Sequence, residues 1–323
     1  MSDPKIEQTT TRPPGRVVLF DLKSQIRSWL GSTAAGRLAV SLQRRIRSLT
    51  GSARQINSRL RPRRPFAPAA GDLIVMSANL WHDWPRHRRL PDRLEAFASL
   101  VEESGAQVVL LQEVLRTPDF RTDTWLADRL GMAFAYARAN GNSDAIGFEE
   151  GSAVLSKYPL LELQQTTLLP SVSRFVSRIA LGARLDLPCC DLWAFSTHLS
   201  LMRSHNQPQL QALRRWISDI SGGVSALIGG DFNASERSEG IKMAQHAWVD
   251  TYRSVNPEGE APTHSLHWPW GGLIRRERLD YVFLHRQDPG WQVVETRHVS
   301  TPVRPHSDHA AVLTRLRYRA CSN

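Results

Sequence analysis

From residue 71 onward the apolar positions fall into two rhythms, and their alternation lays out the fold. "DLIVMSANL" is a continuous apolar run and predicts a buried strand, after which Leu94, Phe97 and Val101 recur at helical spacing up to Gly105, a residue able to end the helix. "AQVVLLQEV" predicts a second strand, and a helix through Trp125 and Leu130 stops at Gly131. "GSAVLSKYPL" and "SRIALGARLDL" read as a sheet hairpin, and "CDLWAFSTHLS" as a further strand. Leu210, Leu213, Trp216, Ile217 and Ile220 then mark one face of a helix, and "SALIGGDFNAS" reads as a strand whose two glycines let the backbone turn sharply. "RLDYVFLHR", "WQVVETRHV" and "HAAVLTRLRY" close the chain as three strands with little helix between them. Such a mixture needs layers, with sheet faces packed together and helices outside them.

Before residue 71 the pattern changes. Residues 1–15 should be disordered. Leu38, Leu42, Ile46 and Leu49 then recur at helical spacing while Arg44, Arg45 and Arg47 fall elsewhere, which predicts a basic amphipathic helix, broken near Gly31. Residues 58–70, "SRLRPRRPFAPAA", read as a linker, so the expected domains are an arm over 1–70 and a body over 71–323.

Charge sharpens that division. The net charge of +10 resides in the arm, whose 14 Lys and Arg face three acids; the body carries 27 basic against 28 acidic residues. The arm suits three partners: the body's own surface, an anionic membrane contacted through residues 16–64, or nucleic-acid phosphates. Three cysteines, two of them adjacent, form neither a disulfide framework nor a zinc site. No apolar run reaches the ~18 residues of a membrane span, so the expected location is the cytoplasm, with peripheral membrane contact as a variant.

Polar residues gather at the ends of the predicted strands: Asn79, Glu113, His198, Asp231, Asn233, Asp280, Asp308 and His309. An acid directly after the apolar run "VVLL" lies near the core, so Glu113 must be paired or bind a metal. Asp231 and Asn233, two positions apart, present hard oxygens that suit Mg²⁺ better than zinc.

The strings "MSANLW", "VVLLQEV", "GSAVLSKYPL", "FSTHLS", "LIGGDFNAS", "RLDYVFL" and "HSDHAAV" stand in an order that resembles the endonuclease/exonuclease/phosphatase superfamily, the group that includes DNase I, over residues 73–317. The resemblance implies an α/β fold, a four-layer α/β/β/α sandwich of two packed mixed sheets, and Mg²⁺-dependent hydrolysis of phosphate esters, with Mn²⁺ as the alternative ion. It implies that Glu113 is the main metal ligand, supported by Asn79 and joined by Asp308. By the same carry-over, Asp280 orients His309 toward the scissile phosphate, Asp231 and Asn233 position the attacking water, His198 donates to the phosphate or leaving group, and Arg178 contacts phosphate.

Departures narrow the substrate. "STHLS" is unlike the string of the apurinic-site repair enzymes; Ser156 or Lys157 stands where DNase I has a glutamate partner for its first histidine; and "PWGGLIRRERLD" offers Pro269 and Trp270 without the acid of the inositol-polyphosphate phosphatases. Sphingomyelinases and related bacterial domains keep "THL", "GDFN" and "SDH" as here. The expectation is therefore a phosphodiesterase, with nucleic acid narrowly ahead of lipid head groups or inositol phosphates. A non-catalytic binding protein of the same fold would have lost a ligand or a histidine, and none is missing. Trp268 and Trp270 are expected either to line the substrate cleft or to pack on their own domain.

Overall fold

The computed structural model describes residues 55–64, 72–172, 176–188, 190–268, 270–301 and 305–319, all within one compact unit that begins at Leu49. The predicted basic helix, with residues 1–54, lies outside the described residues, as do residues 65–71. In chain order the elements are β1 (Ile56–Arg59), β2 (Asp72–Asn79), α1 (Leu90–Ser104), β3 (Val108–Arg116), α2 (Thr122–Leu130), β4 (Ala133–Asn142), α3 (Ser143–Ile146) and β5 (Phe148–Ser156). They continue with β6 (Leu160–Leu168), β7 (Arg178–Asp186), β8 (Asp191–His198), α4 (Arg203–Ser221), β9 (Ala226–Asp231), α5 (Glu239–Ala247) and β10 (Val249–Asp250). The last are β11 (His264–His267), β12 (Leu273–Glu277), β13 (Asp280–His285), β14 (Trp291–Val299) and β15 (Ala311–Tyr318).

Two mixed sheets stack face to face, one ordered β1-β4-β5-β3-β2-β15-β14 and the other β10-β13-β9-β8-β7-β6. The run "VVLL" explains the layering. Val108 and Leu110 point into the core between the sheets, with Leu181, Leu227 and Val282, whereas Val109 and Leu111 point outward onto Leu94, Phe97 and Leu126 of α1 and α2. A strand covered on both faces must be apolar at successive positions rather than alternating. On the far side, Leu210, Leu213 and Ile217 of α4 cover Phe195, Ile228 and Phe283. The four-layer sandwich expected from the sequence is the observed fold.

Each sheet contains one parallel pair, β2 with β3 and β8 with β9, joined through α1 and α4 respectively. Parallel neighbours end side by side, and the crossover that makes them parallel requires a helix. The antiparallel neighbours β13 and β15 begin where those pairs end, since Asp280 is in register with Asp231, and Val312 with Ser77. Four strand ends and two strand starts therefore share one end of the sandwich.

Several expectations need correction. Ser58 and Arg59 are not linker: with Ile56 and Asn57 they pair antiparallel with β4 as an edge strand, and Arg59 donates to Asp128 Oδ1 at 2.5 Å and to the Met132 carbonyl. The boundary expected at residue 70 thus cuts through the first sheet. "GSAVLSKYPL" and "SRIALGARLDL" do not form a hairpin with each other. β5 lies in the seven-stranded sheet and β6 pairs with β7 in the six-stranded one, the chain crossing between sheets at Lys157–Pro159. β4 and α5 were absent from the sequence reading. Gly229 and Gly230 do not turn the chain, because β9 runs through both. They permit close approach: a Cβ on Gly229 would lie 2.5 Å from Leu110 Cδ1, and one on Gly230 would lie 2.1 Å from the Thr197 carbonyl oxygen. Among the described residues no helix is long and apolar enough to cross a membrane.

Backbone cannot retreat as a flexible side chain can, so Gly230→Ala is expected to destabilise the protein by about 1–3 kcal/mol. Urea unfolding checks this, and an unchanged midpoint would show that β8 and β9 can separate locally.

Candidate active site

Register alone brings three of the expected residues together. His198, Asp231 and Asp280 are direct neighbours across β8, β9 and β13, so their side chains leave the same face. Asn79 faces them from the other sheet. Its Nδ2 donates to Asp231 Oδ2 and to Glu113 Oε1, each at 3.1 Å, while its Oδ1 accepts the Trp81 N–H at 2.9 Å. Since the Trp81 amide can only donate, the orientation of the Asn79 amide is set, and its oxygen keeps a second lone pair.

Strand alternation would aim Glu113 opposite to its neighbour Gln112, whose amide donates to Ser196 Oγ at 3.0 Å between the sheets. A register shift between Leu111 and Val114, with Glu113 itself at φ 53°, turns the carboxylate to the site. Asn233 is likewise left-handed, at φ 48°, and lets its backbone N–H donate to Asp231 Oδ1 at 2.8 Å while Nδ2 donates to the Leu199 carbonyl at 3.0 Å. Non-glycine residues held in this region concentrate where function demands a particular geometry.

His309 Nδ1 donates to Asp280 Oδ2 at 2.8 Å, leaving Nε2 toward Asp231 Oδ2 at 4.0 Å. Thr263 Oγ1 accepts the backbone N–H groups of Leu279 and Asp280 and so anchors the start of β13. Asp308 is exposed beside this pair, and its Oδ1 accepts the Ser307 hydroxyl at 3.3 Å. Arg93 spans the loops before and after: its Nη1 donates to the carbonyls of Leu80 and His306, at 2.9 and 3.2 Å.

The electrostatics set the two imidazoles apart. Burial opposes a charge on His309, but Asp280, then Asp231 and Asp308, outweigh it and push the pKa up to about 10. Burial, together with the positive charge of Arg178 and His309, pushes His198 well down, so it is neutral at pH 7. Its Nε2 lies 3.6 Å from Asp231 Oδ2. Burial raises Asp231, with Asp280 adding to it, and burial raises Glu113, with Glu150 and Asp308 adding to it. Carboxylates that raise one another in this way form a site short of positive charge. Among the described residues, His82–Glu113–Glu150, Asp231–Asp280–His309 and His264–Asp308–His309 are the clusters whose ligand atoms lie close enough together to hold a metal ion.

Sequence reasoning did not single out His82, Glu150, Thr263, His264 or Arg93. His82 Nδ1 accepts the Trp84 N–H at 3.0 Å, which leaves Nε2–H to donate to Glu150 Oε2 at 2.8 Å; the ring bridges toward Glu113 as a donor. Glu150 could have been found by the argument that found Glu113, an acid against a buried apolar strand. It takes His82 as its partner, and Ser156 accepts the Tyr158 N–H. Arg178, first residue of β7, is half-buried and close enough to depress both His198 and Glu150. The His264 ring packs on His309 at 4.5 Å, in a segment without periodicity that offers no signal in sequence.

With the geometry in place, comparison with known proteins identifies the class. The chain belongs to the Endonuclease/Exonuclease/phosphatase family, whose profile matches residues 76–309, and that family consists of phosphoesterase hydrolases. The chain is 28% identical over 192 residues to the uncharacterized protein YbhP of Escherichia coli strain K12, covering 55% of this chain and 73% of that one. Among solved structures, a family member from Leptotrichia buccalis superposes with TM-score 0.63 at 16% identity, covering 76% of this chain and 99% of its own. D. rerio TDP2 complexed with a single-strand DNA product superposes with TM-score 0.61 at 18% identity, covering 76% and 98%. These structural likenesses carry the fold.

Replacing Asp280 by Asn removes the charge that holds the proton on His309. The His309 titration, followed by NMR, is expected to move down from about 10; an unmoved titration would contradict the pairing.

Proposed function

We propose that the chain is a divalent-cation-dependent phosphodiester hydrolase, with Glu113 and Asp308 as the residues that hold Mg²⁺ or Mn²⁺. The observation that supports this most is the buried Asp280–His309 pair aimed at Asp231, which Asn79 in turn ties to Glu113. A bound cation would neutralise phosphate charge and stabilise the leaving oxygen. Asn79 supports Glu113, holding that carboxylate by its Nδ2–H and leaving a lone pair of Oδ1 for the ion. Asp231 is the acceptor for the proton of the attacking water, and Asn233 fixes the Asp231 carboxylate by its backbone N–H. His309, cationic and oriented by Asp280, donates from Nε2 to a phosphoryl oxygen. His198, neutral, offers the second hydrogen bond to the phosphate or the leaving group, and Arg178 supplies positive charge on the same side.

Nucleic acid stands narrowly ahead of lipid head groups as the substrate on the sequence reading, and the cytoplasm, with peripheral membrane contact, remains the proposed location. The second substrate reading has a specific support in the near-neutral body, since a polyanion groove needs a basic lining.

The test uses the full-length chain with Mg²⁺ on bis(p-nitrophenyl) phosphate, supercoiled plasmid and phospholipid. Hydrolysis of the soluble diester is expected to stop on chelation and to fall by ~10²–10⁴-fold in His309→Ala and Glu113→Ala. Turnover near normal in either variant would refute the assignment. Nicking of the plasmid would select nucleic acid, and release of head groups without nicking would select lipid.

A further inference from the structure

Large apolar side chains left in water are unevenly distributed over this molecule. Of the twelve exposed ones among the described residues, ten lie in loops and short elements at the active-site end, and only Leu60 and Leu161 lie at the other. The largest group tops the β11–β12 hairpin, where Trp268 is 49% exposed and Trp270 80%. These two rings stack on each other, 5.2 Å apart and 7° from parallel, and β12 adds exposed Leu273 and Ile274. The hairpin rises directly from the catalytic residues, since His264 at its base bridges to His309. Across a cavity of about 430 Å³ beside Asn233 stands the β8–α4 loop, with Leu201 70% exposed and Met202 next to it. Trp84 projects from the β2–α1 loop on the Glu113 side, Leu169 from the β6–β7 loop and Ile146 from the end of α3.

Arginines accompany these tips. Exposed Arg86 follows Trp84, Arg203 follows Met202, and Arg275 and Arg276 follow Ile274. Apolar tips with guanidinium groups at their bases match the boundary of a bilayer, where hydrocarbon lies just below the phosphates and tryptophan prefers the interface. Stacking on nucleobases would use only the three tryptophans. The seven aliphatic side chains gain nothing from a base and gain on transfer to hydrocarbon. A ring of separate loops around one mouth also fits a surface better than a strand.

We propose that this rim docks the active-site mouth onto a phospholipid bilayer, so that the scissile phosphate is presented from the membrane surface. The inference rests on the phosphoester-hydrolase reading for its meaning, but its test does not require turnover. Full-length protein is sedimented with phosphatidylcholine vesicles at high salt, where attraction of the basic arm to charged surfaces is screened. The wild type is expected to partition, and the double variant Trp268→Ser/Trp270→Ser to partition about tenfold less or weaker. Leu201→Ser is expected to weaken partitioning by a smaller factor, with thermal midpoints of both variants unchanged because neither site supports the core. Equal partitioning of wild type and variants, or no binding of the wild type, would overturn the proposal. Loss of plasmid binding in the double variant with vesicle binding intact would also overturn it, by assigning the tryptophans to bases. Absent hydrolysis of the soluble diester alongside intact vesicle binding would instead count against the catalytic reading alone.

Discussion

One amide holds the two halves of the site together. Asn79 stands at the end of the first sheet's parallel pair, and its NH₂ group donates at once to Glu113 in its own sheet and to Asp231 in the other. Burial raises the pKa of both carboxylates, with Asp280 adding to the shift at Asp231 and Glu150 and Asp308 adding to it at Glu113, so a donor shared between them offsets part of the cost of burying their charge. The arrangement is possible because Gly229 and Gly230 let β9 approach Leu110 and the Thr197 backbone. The strain at Glu113 and Asn233, both left-handed, is sustained by the rigidity of the strands on either side.

Much of this was legible in the sequence wherever burial dictated residue type. "VVLL" reads as a strand buried on both faces, and an acid directly after it cannot be idle, so Glu113 was found by solvation alone. The ends of α1 and α2 were found because Gly105 and Gly131 adopt φ 68°, a conformation glycine takes without strain. What failed was whatever depended on partners. β4, "AFAYARANGN", is rich in small residues and lacks a β-branched run, so its strand character comes from pairing with β1 and β5. β1 hid in an Arg- and Pro-rich stretch that reads as linker, because an edge strand needs little apolar surface of its own. The two glycines of "GGDFN" looked like a turn and proved to be a packing contact, since sequence cannot distinguish a glycine chosen for φ from one chosen for size.

The site residues followed the same division. All eight strand-end residues fall at one end of the sandwich, but the tie through Asn79, the turning of Glu113 and the His82–Glu150 pair are products of register and of a bulge. Trp268 and Trp270 were expected to line the cleft or to pack on the body. They do not pack on the body: they stack on each other in solvent at the tip of a hairpin that no periodicity announced.

On the proposed function, the carboxylates hold a cation and the histidines handle the phosphate. Mn²⁺ binding followed by electron paramagnetic resonance separates the two roles directly. Glu113→Gln is expected to lose the bound ion while His309→Ala retains it near wild-type affinity; retention by Glu113→Gln, or equal loss in both, would contradict that division of roles.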